Sequence, residues 1–464
     1  MTQKKIVYPY IPNSAPEVKA QMLRDVEASS VEAFYADVPA ALRIQGQMDL
    51  PEPFLSEYAL RRHVEGLLRK NTTTQQYLNF LGAGCYQHHV PAICDEINQR
   101  GEFLTAYAGE PYDDHGRFQS LFEYCSMMGE LLEMDVVNVP NYDGFQATAT
   151  SLRMACRITG RNRVLLAAIL GRDKLSRVRD YLKPEIEIAS VEHDPKTGGM
   201  NLKHLETLLK TESAAVYFEN PSYLGSLETH GTEITDLAHK HGALAIVSVD
   251  PISLGVLAPP VRYGADIVCG DIQPLGMHMQ FGGGQAGFIA SQDDEKIVMQ
   301  YPSRLFGISP TRVPGEYGFG DVAYDRTSFA KREEGNEWVG TAAALWGITA
   351  GVYLALMGPQ GMKEIGEGIL YRSRYAMQEI GKIKGVRSDV FSAPHFKEFV
   401  VNFDGTGRKV AELNAALLRK GIFGGKDLSR EFPWLGESAL VCVTEIHTQE
   451  DIDRLVSSLK EVLS

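Results

Sequence analysis

The sequence predicts an α/β fold with a mostly parallel sheet in a large domain, followed by a smaller C-terminal α+β domain. Between residues 75 and 315, short apolar runs alternate with amphipathic helical stretches. This alternation is typical of a parallel sheet that is covered on both faces. The chain then ends in an apolar run at 439–446 and an amphipathic helix. Such a pair indicates a separate, smaller sheet with a helix packed against it.

The individual elements follow from these patterns. The predicted strands are the apolar runs at 164–169, 214–218, 244–249 and 265–269, with a more polar run at 186–191 that suits a sheet edge. The predicted helices are at 145–159, 204–210, 232–241 and 341–384. In the last helix, Thr448 is the expected N-cap, with Asp451 three residues further on. One apolar face of that helix is formed by Ile452, Leu455, Val456, Leu459, Val462 and Leu463.

We predict three regions along the chain. Residues 1–70 contain six prolines, and so interrupted a segment cannot close a core of its own, so we expect an arm that lies over a neighbouring chain. Residues 71–320 form the large α/β domain, and residues 321–464 form a helical connection and the C-terminal domain.

Composition excludes several classes of function. The formal net charge of −13, without a basic run, argues against nucleic acid or an anionic membrane as a partner. No stretch approaches the ~18 apolar residues of a membrane span, and the N-terminus does not resemble a signal peptide. Six widely spaced cysteines without a C-x-x-C pair suit buried thiols in a reducing compartment. We therefore expect a cytoplasmic protein.

The end of the predicted strand at 244–249 is the first candidate site. Asp250 follows it directly, at the carboxyl end where open α/β sheets bind their ligands. In enzymes that use pyridoxal phosphate (PLP), an aspartate there pairs with the pyridine nitrogen. The alternative is a structural one, because an aspartate before a proline commonly caps a turn.

The next strand leads into the turn where PLP enzymes carry the lysine that binds the cofactor covalently. Here the turn contains Gln273 and Pro274, and no lysine lies between Lys240 and Lys296. We therefore expect no covalently bound cofactor on this chain.

Tyr142 and Asp143 precede the predicted helix at 145–159. A helix N-terminus offers free N–H groups and a positive dipole end, so this turn is a candidate for binding a phosphate or for stacking Tyr142 on a ring. The alternative is that Asp143 is an ordinary N-cap.

The remaining candidates are His88, Tyr107, His115 and Arg117. His88 lies in a glycine-containing loop that could line a cleft. In the second loop, Arg117 could grip a carboxylate and His115 could move a proton. Cys85, His88 and Cys94 fit no standard zinc spacing, so we expect no metal. The G-x-S-x-G and H-E-x-x-H motifs are absent as well.

Taken in order, many short segments resemble one family, subunit 1 of the two-subunit glycine dehydrogenase (decarboxylating), the P-protein of the glycine cleavage system. The resemblance runs nearly from end to end. The matching segments include Phe-Leu-Gly-Ala-Gly at 80–84, Glu-Phe-Leu-Thr-Ala-Tyr at 102–107, Tyr-Asp-Gly at 142–144, Val-Asp-Pro-Ile-Ser-Leu-Gly at 249–255, Gln-Pro-Leu-Gly at 273–276, His-Phe-Lys-Glu-Phe-Val at 395–400 and Val-Cys-Val-Thr-Glu at 441–445.

The resemblance implies a type I PLP-transferase fold without the Schiff-base lysine, whose place Gln273 and Pro274 take. It also implies a PLP-bearing partner, subunit 2, and a heterotetramer with two copies of each chain. The implied reaction removes the carboxylate of glycine as CO2, with PLP accepting the electron pair, and passes the aminomethyl group to the lipoyl carrier H-protein.

Three segments depart from the family pattern, the first of them Cys-Tyr-Gln-His at 85–88 in place of Ala-Tyr-Asp-His. The stretch at 108–116 differs from the family's Thr-Pro-Tyr-Gln-Pro-Glu and is one residue shorter, and the stretch at 335–341 replaces Thr-Ser-Asn-Ile-Cys-Thr. Two alternatives therefore remain beside the glycine decarboxylase subunit. One is a paralogous PLP-dependent complex that acts on another small amino acid or amine, and the other is a non-catalytic scaffold or regulatory subunit.

Overall fold

The computed structural model describes residues 7–8, 10–44, 46, 48–103, 115–282, 285–335, 337, 339 and 342–464, with the backbone alone for residues 115, 116 and 324. Contacts divide the chain into two units, Met1–Thr72 and Thr73–Ser464. The first unit holds helices α1 (Pro16–Asp25) and α2 (Glu57–Leu68), neither of which contains a buried residue. The three-region division with limits at 70 and 320 stays a prediction.

The second unit contains strands and helices in alternation. Its strands are β1 (Leu78–Asn79), β2 (Val136–Val137), β3 (Arg163–Ala167), β4 (Glu187–Val191), β5 (Ala215–Glu219), β6 (Leu244–Val249), β7 (Ile267–Asp271), β8 (Gly287–Ser291), β9 (Phe306–Pro310), β10 (Tyr317–Asp321), β11 (Glu398–Asn402), β12 (Ile422–Phe423), β13 (Lys426–Asp427) and β14 (Ser438–Cys442). Its helices are α3 (Ala92–Asn98), α4 (His115–Leu132), α5 (Gly144–Thr159), α6 (Arg172–Leu182), α7 (Leu202–Leu208), α8 (Gly231–Lys240), α9 (Glu295–Val298), α10 (Ala344–Gly381), α11 (Val410–Arg419) and α12 (Gln449–Leu463). Within the described ranges, we find no helix with the length and apolar character of a membrane span.

The main sheet has seven strands in the order β2-β8-β7-β6-β5-β3-β4. The neighbours from β4 to β7 pair in parallel, whereas β8 runs antiparallel to both β7 and β2. The predicted mostly parallel sheet is therefore confirmed. The polar run at 186–191 forms the edge strand β4, where one side of the backbone is unpaired and polar side chains are tolerated.

Each central strand is apolar because both of its faces are covered. In β5, Val216 and Phe218 pack on one side of the sheet, whereas Tyr217 packs on the other. This is the period of two that places successive side chains on opposite faces. The carboxyl ends of β5, β6 and β7 meet at one edge, so that Glu219, Asp250 and Asp271 face a common space.

The C-terminal sheet, β11-β14-β13, is antiparallel. Helix α12 carries the predicted capping box, in which the Thr448 side chain accepts from the Asp451 N–H and Asp451 accepts from the Thr448 N–H. Strand β1 pairs with β12, so the chain at 78–79 joins the C-terminal elements. Gly225, which follows β5, also lies very close to β11. A Cβ atom on Gly225 would be 1.9 Å from the carbonyl oxygen of Glu398.

Candidate active site

A cleft with a cavity of about 140 Å³ lies at the carboxyl edge of the main sheet. Its floor is formed by the ends of β5, β6 and β7, and one wall by the start of α5. The loop at 80–91 contributes Tyr86 to a second wall. This is the place at which open α/β sheets bind ligands, so the cleft is the candidate active site.

Gln273 is almost fully buried beside the cleft, with 1% of its surface exposed. Its side-chain amide donates to the carbonyl oxygens of Tyr86 and Met277 at 2.9 and 3.0 Å, and its Oε1 accepts the Tyr86 N–H at 3.0 Å. Gln273 therefore fastens the loop at 80–91 to the sheet edge. Pro274 follows it and lines the cleft.

The N-terminus of α5 is occupied by side chains of the chain itself. Asp143 is the N-cap, and its Oδ1 accepts the Gln146 N–H at 2.7 Å. Asp271 reaches across from the end of β7, and its Oδ2 accepts the Gly144 N–H at 2.8 Å. The capping alternative for Asp143 thus describes the structure, and a carboxylate stands at the helix end where a phosphate would bind. Tyr142 is 56% exposed.

Burial raises the pKa of Asp271 to about 7, although the N–H groups of Gln273, Gly144 and Ala286 act in the opposite direction by donating to its carboxylate. An acid with such a pKa changes its charge near neutral pH. The three backbone donors favour the ionised form of Asp271, but burial outweighs them, so the group is only partly ionised at neutral pH.

Asp250 has two kinds of partner. Its Oδ1 accepts the Ile252 N–H at 3.1 Å, which is the turn-capping role considered from the sequence. Its Oδ2 forms an ion pair with Lys397, a buried lysine that comes from the C-terminal part of the chain. Each oxygen of the Asp250 carboxylate therefore has a partner within the chain.

His88 is buried next to this ion pair. Its Nδ1 lies 2.7 Å from Glu445 Oε2, and its Nε2 lies 3.1 Å from Lys397 Nζ. Burial alone would raise the pKa of Glu445, but His88 and the His89 N–H together lower it to about 2. The ammonium of Lys397 also lies 3.4 Å from the centre of the Tyr86 ring, a cation–π contact.

A second buried pair lies across the cleft, between Lys174 of α6 and Glu219 at the end of β5, with a separation of 2.5 Å. Burial would lower the pKa of Lys174, but the neighbouring Glu219 outweighs this effect and raises it above its ordinary value. Lys426 also has an acidic partner, Glu431, at 2.8 Å. The charges that face the cleft are thus largely neutralised in pairs.

Glu398 provides a direct test of this electrostatic picture. It accepts from the Ala83 N–H at 2.6 Å and from the Tyr86 hydroxyl at 2.9 Å. Burial raises its pKa from 4.5 to about 7, against the opposing effects of the Ala83 N–H, Lys397 and the Tyr86 hydroxyl. Between these two pH values the folded chain binds more protons than the unfolded chain, so stability falls as the pH rises from 4.5 to 7.

We expect Glu398→Gln to remove this loss, because glutamine is neutral, its Oε1 still accepts from the Ala83 N–H, and the Tyr86 hydroxyl can rotate to accept from its side-chain amide. The variant should be more stable than the parent chain by about 2–3 kcal/mol at pH 8, with a much smaller gain at pH 5. Urea unfolding across this range measures the difference. Glu412→Gln, at an exposed carboxylate, is the matched control. If the free energy of unfolding changed with pH in the same way for Glu398→Gln and the parent chain, the raised pKa of Glu398 would be contradicted.

The structure separates the other sequence candidates. Arg117 is buried in α4, 4% exposed, and is not among the described residues that line the cleft. His115 begins α4, but its side chain lies outside the described part, and Tyr107 falls entirely outside it. Across the described residues, no three His, Cys, Asp or Glu side chains are grouped to hold a metal ion.

Sequence reasoning missed Lys397, Lys174 and Asp271 as groups of the cleft. Lys397 and Glu398 are two charged residues immediately before the apolar run Phe-Val-Val at 399–401, and charges that adjoin a buried strand are a signal of paired partners. Asp271 stands in the turn that contains Gln273, but its contact with α5 depends on the fold.

The described residues do not fit PLP. Asp271 accepts the Gly144 N–H at the start of α5, Asp250 is paired with Lys397, and Gln273 stands where the sequence resemblance places the lysine. A phosphate beside the Asp271 carboxylate would meet like charge and would lose the Gly144 N–H as a donor.

Comparison with known proteins identifies the family. The model of the glycine cleavage system P-protein family matches residues 9–459. The chain belongs to the glycine cleavage system P-protein family. Within it, the chain is 37% identical to the probable glycine dehydrogenase (decarboxylating) subunit 1 of Staphylothermus marinus, over 98% of both chains. The subunit 1 of Carboxydothermus hydrogenoformans is 38% identical, over 97% of this chain and 99% of that protein.

Solved structures agree with this membership of the P-protein family. A crystal structure of glycine decarboxylase (P-protein) of the glycine cleavage system, in inhibitor-bound form, superposes with a TM-score of 0.83 at 32% identity, over 98% of this chain and 100% of that one. A sphingosine-1-phosphate lyase of Burkholderia pseudomallei gives a TM-score of 0.66 at 14% identity, a likeness of fold alone. The P-protein-family chain thus has the type I fold of PLP-dependent enzymes.

Proposed function

We propose that this chain is subunit 1 of a two-subunit glycine decarboxylase and that PLP is held by its partner, subunit 2. The proposed reaction converts glycine and the oxidised lipoyl group of a carrier protein into CO2 and the aminomethylated, reduced lipoyl group. One PLP-bearing chain and one PLP-free chain form each half of the proposed heterotetramer. The observation that carries this division of labour is the cleft in which Asp271, Lys397 and Gln273 stand where PLP contacts would be.

Two further observations support the proposal. The family match extends over nearly the whole chain, and the similar proteins are named as subunit 1, a name that presupposes a second subunit. All six cysteines are free, which suits work in the reducing cytoplasm.

The test compares this chain alone, a subunit 2 homologue from the same genome alone, and the two after co-expression. We expect the isolated chain to be colourless and inactive, and the co-purified pair to be yellow and to release CO2 from glycine in the presence of the lipoyl carrier. Visible absorbance and trapping of labelled CO2 measure the two properties. A yellow isolated chain would overturn the assignment of PLP to the partner, and activity of the partner without this chain would overturn its role in the complex.

A second candidate is a paralogous complex that acts on another small amino acid or amine. The observation that favours it lies in the divergent stretch at 335–341, where Glu337 is buried and bound to Arg157 at 2.6 Å and to Arg153 at 3.7 Å. The pattern expected from the resemblance, Thr-Ser-Asn-Ile-Cys-Thr, has no acid, so this attachment to α5 departs from that pattern. A yellow pair that ignores glycine but releases CO2 from another small amino acid in the same assay would select this candidate.

A further inference from the structure

Lys397 is a lysine without access to solvent, with 3% of its surface exposed. It immediately precedes β11, and the Val443 N–H donates to its carbonyl oxygen at 2.8 Å, so its backbone is fixed by the C-terminal sheet. Its ammonium points out of that sheet towards the end of β6, where it pairs with Asp250. A charge in such a place is stable only with a close partner of opposite sign.

The surroundings of the Lys397 ammonium form a complete binding site. Asp250 supplies the negative charge, Tyr86 offers a ring face at 3.4 Å, and His88 Nε2 lies at 3.1 Å. Because an ammonium group can only donate, His88 accepts through Nε2 and carries its proton on Nδ1, which donates to Glu445. The contacts of the ammonium come from the residue after β6 and from the loop at 80–91, two parts distant in the sequence, and Glu445 after β14 holds His88 in turn.

Other cations of the cleft are engaged elsewhere. Lys174 is paired with Glu219, and Lys426 with Glu431. Within the described part of the chain, Lys397 is the ion-pair partner of Asp250. Removal of the Lys397 ammonium would therefore leave a buried carboxylate whose other oxygen only caps a turn.

We propose that Lys397 is a built-in counter-ion that occupies the place of a cationic ligand ring beside Asp250 and thereby locks the C-terminal sheet onto the edge of the main sheet. Because Lys397 belongs to the polypeptide, the C-terminal sheet is held on the edge of the main sheet without a bound ligand. The inference concerns this chain alone and does not depend on the substrate of the complex.

The test is chemical rescue of Lys397→Ala in the full-length chain. The truncation leaves space for the missing propylammonium group next to an unpaired Asp250. We expect the melting temperature to fall by about 3–5 °C. Added n-propylammonium chloride should raise the melting temperature of this variant towards that of the parent chain, because it restores the cation, whereas equal sodium chloride should not.

Two variants make the result specific. In Asp250→Asn/Lys397→Ala the carboxylate is gone, so n-propylammonium should give no selective stabilisation. Lys420→Ala removes a half-exposed lysine that pairs with Glu461 at the surface, and we expect neither a loss of stability nor a response to the amine. Rescue of the double variant to the same extent as of Lys397→Ala would overturn the proposal, as would an unchanged melting temperature of Lys397→Ala.

If Lys397→Ala does not fold, the cycle of Lys397→Met, Asp250→Asn and the double variant Asp250→Asn/Lys397→Met provides the same decision. The neutral double variant should be more stable than Lys397→Met, because it no longer buries an unpaired charge. Additive effects of the two single substitutions would show that no lock exists between these residues.

Discussion

Among the glycines that the structure describes, replacing Gly225 with alanine is expected to be the most damaging change, with a loss of about 4 kcal/mol or more in the free energy of unfolding. Gly225 has φ = +87°, which an L-residue adopts with strain. In addition, the new Cβ atom would lie 1.9 Å from the carbonyl oxygen and 2.4 Å from the carbonyl carbon of Glu398. Both are backbone atoms, so a side-chain rotation cannot relieve the overlap.

The relief of this overlap would require β11 to move away from the segment at 222–227. That movement would disturb the Phe396 N–H bond to the Gly225 carbonyl and the position of Lys397. Gly160→Ala is the matched control, because Gly160 has φ = +67° but no atom within 4 Å of its Cβ position. We expect about 1 kcal/mol from Gly160→Ala, the backbone strain alone. Urea unfolding of both variants measures the difference, and equal losses would show that the contact with β11 is not tight.

Lys174→Met is expected to reduce the free energy of unfolding by about 3–5 kcal/mol. The side chain of Glu219 is 9% exposed, and without Lys174 its remaining polar contact is the Tyr217 hydroxyl at 3.1 Å. The loss would arise from the uncompensated carboxylate more than from the missing attraction, since methionine fills the volume of the lysine stem.

A double variant distinguishes these causes. Lys174→Met/Glu219→Gln has no buried charge at this place, and we expect it to recover more than half of the loss in urea unfolding. Lys183→Met is the control, because Lys183 pairs with Asp180 at the surface and both side chains are mostly exposed. If the double variant were as unstable as Lys174→Met, the loss would be due to packing in the cleft.

The sheet could be predicted because each central strand is a short apolar run that is visible in the local sequence. The runs at 214–218 and 244–249 correspond to β5 and β6, displaced by no more than one residue at each end. The position of Asp250 at the carboxyl edge followed from the end of its strand. The run at 439–446 was wrong in length, since β14 ends at Cys442, where its pairing with Glu398 ends. Strand ends are set by partners, which a single stretch of sequence does not contain.

The charge pairs of the cleft could not be predicted from the sequence, because their partners lie far apart along the chain. His88 and Lys397 are 309 positions apart, and Gly144 and Asp271 are 127 positions apart. Asp250 could be assigned either to a ring nitrogen or to a turn, and only the fold shows that it caps the turn and also meets Lys397. The role of a polar residue such as Asp250 therefore depends on the side chains that a distant segment places beside it.

The internally paired cleft has a consequence for how the chain depends on its supply of small molecules. A protein that binds a cofactor gains stability with cofactor concentration, about 2.7 kcal/mol at a hundred times the dissociation constant. Here Asp271 and Lys397 belong to the polypeptide and are present at a fixed local concentration as soon as it folds. On the proposed division of labour, we therefore expect the free energy of unfolding of the isolated chain to be the same with and without added PLP.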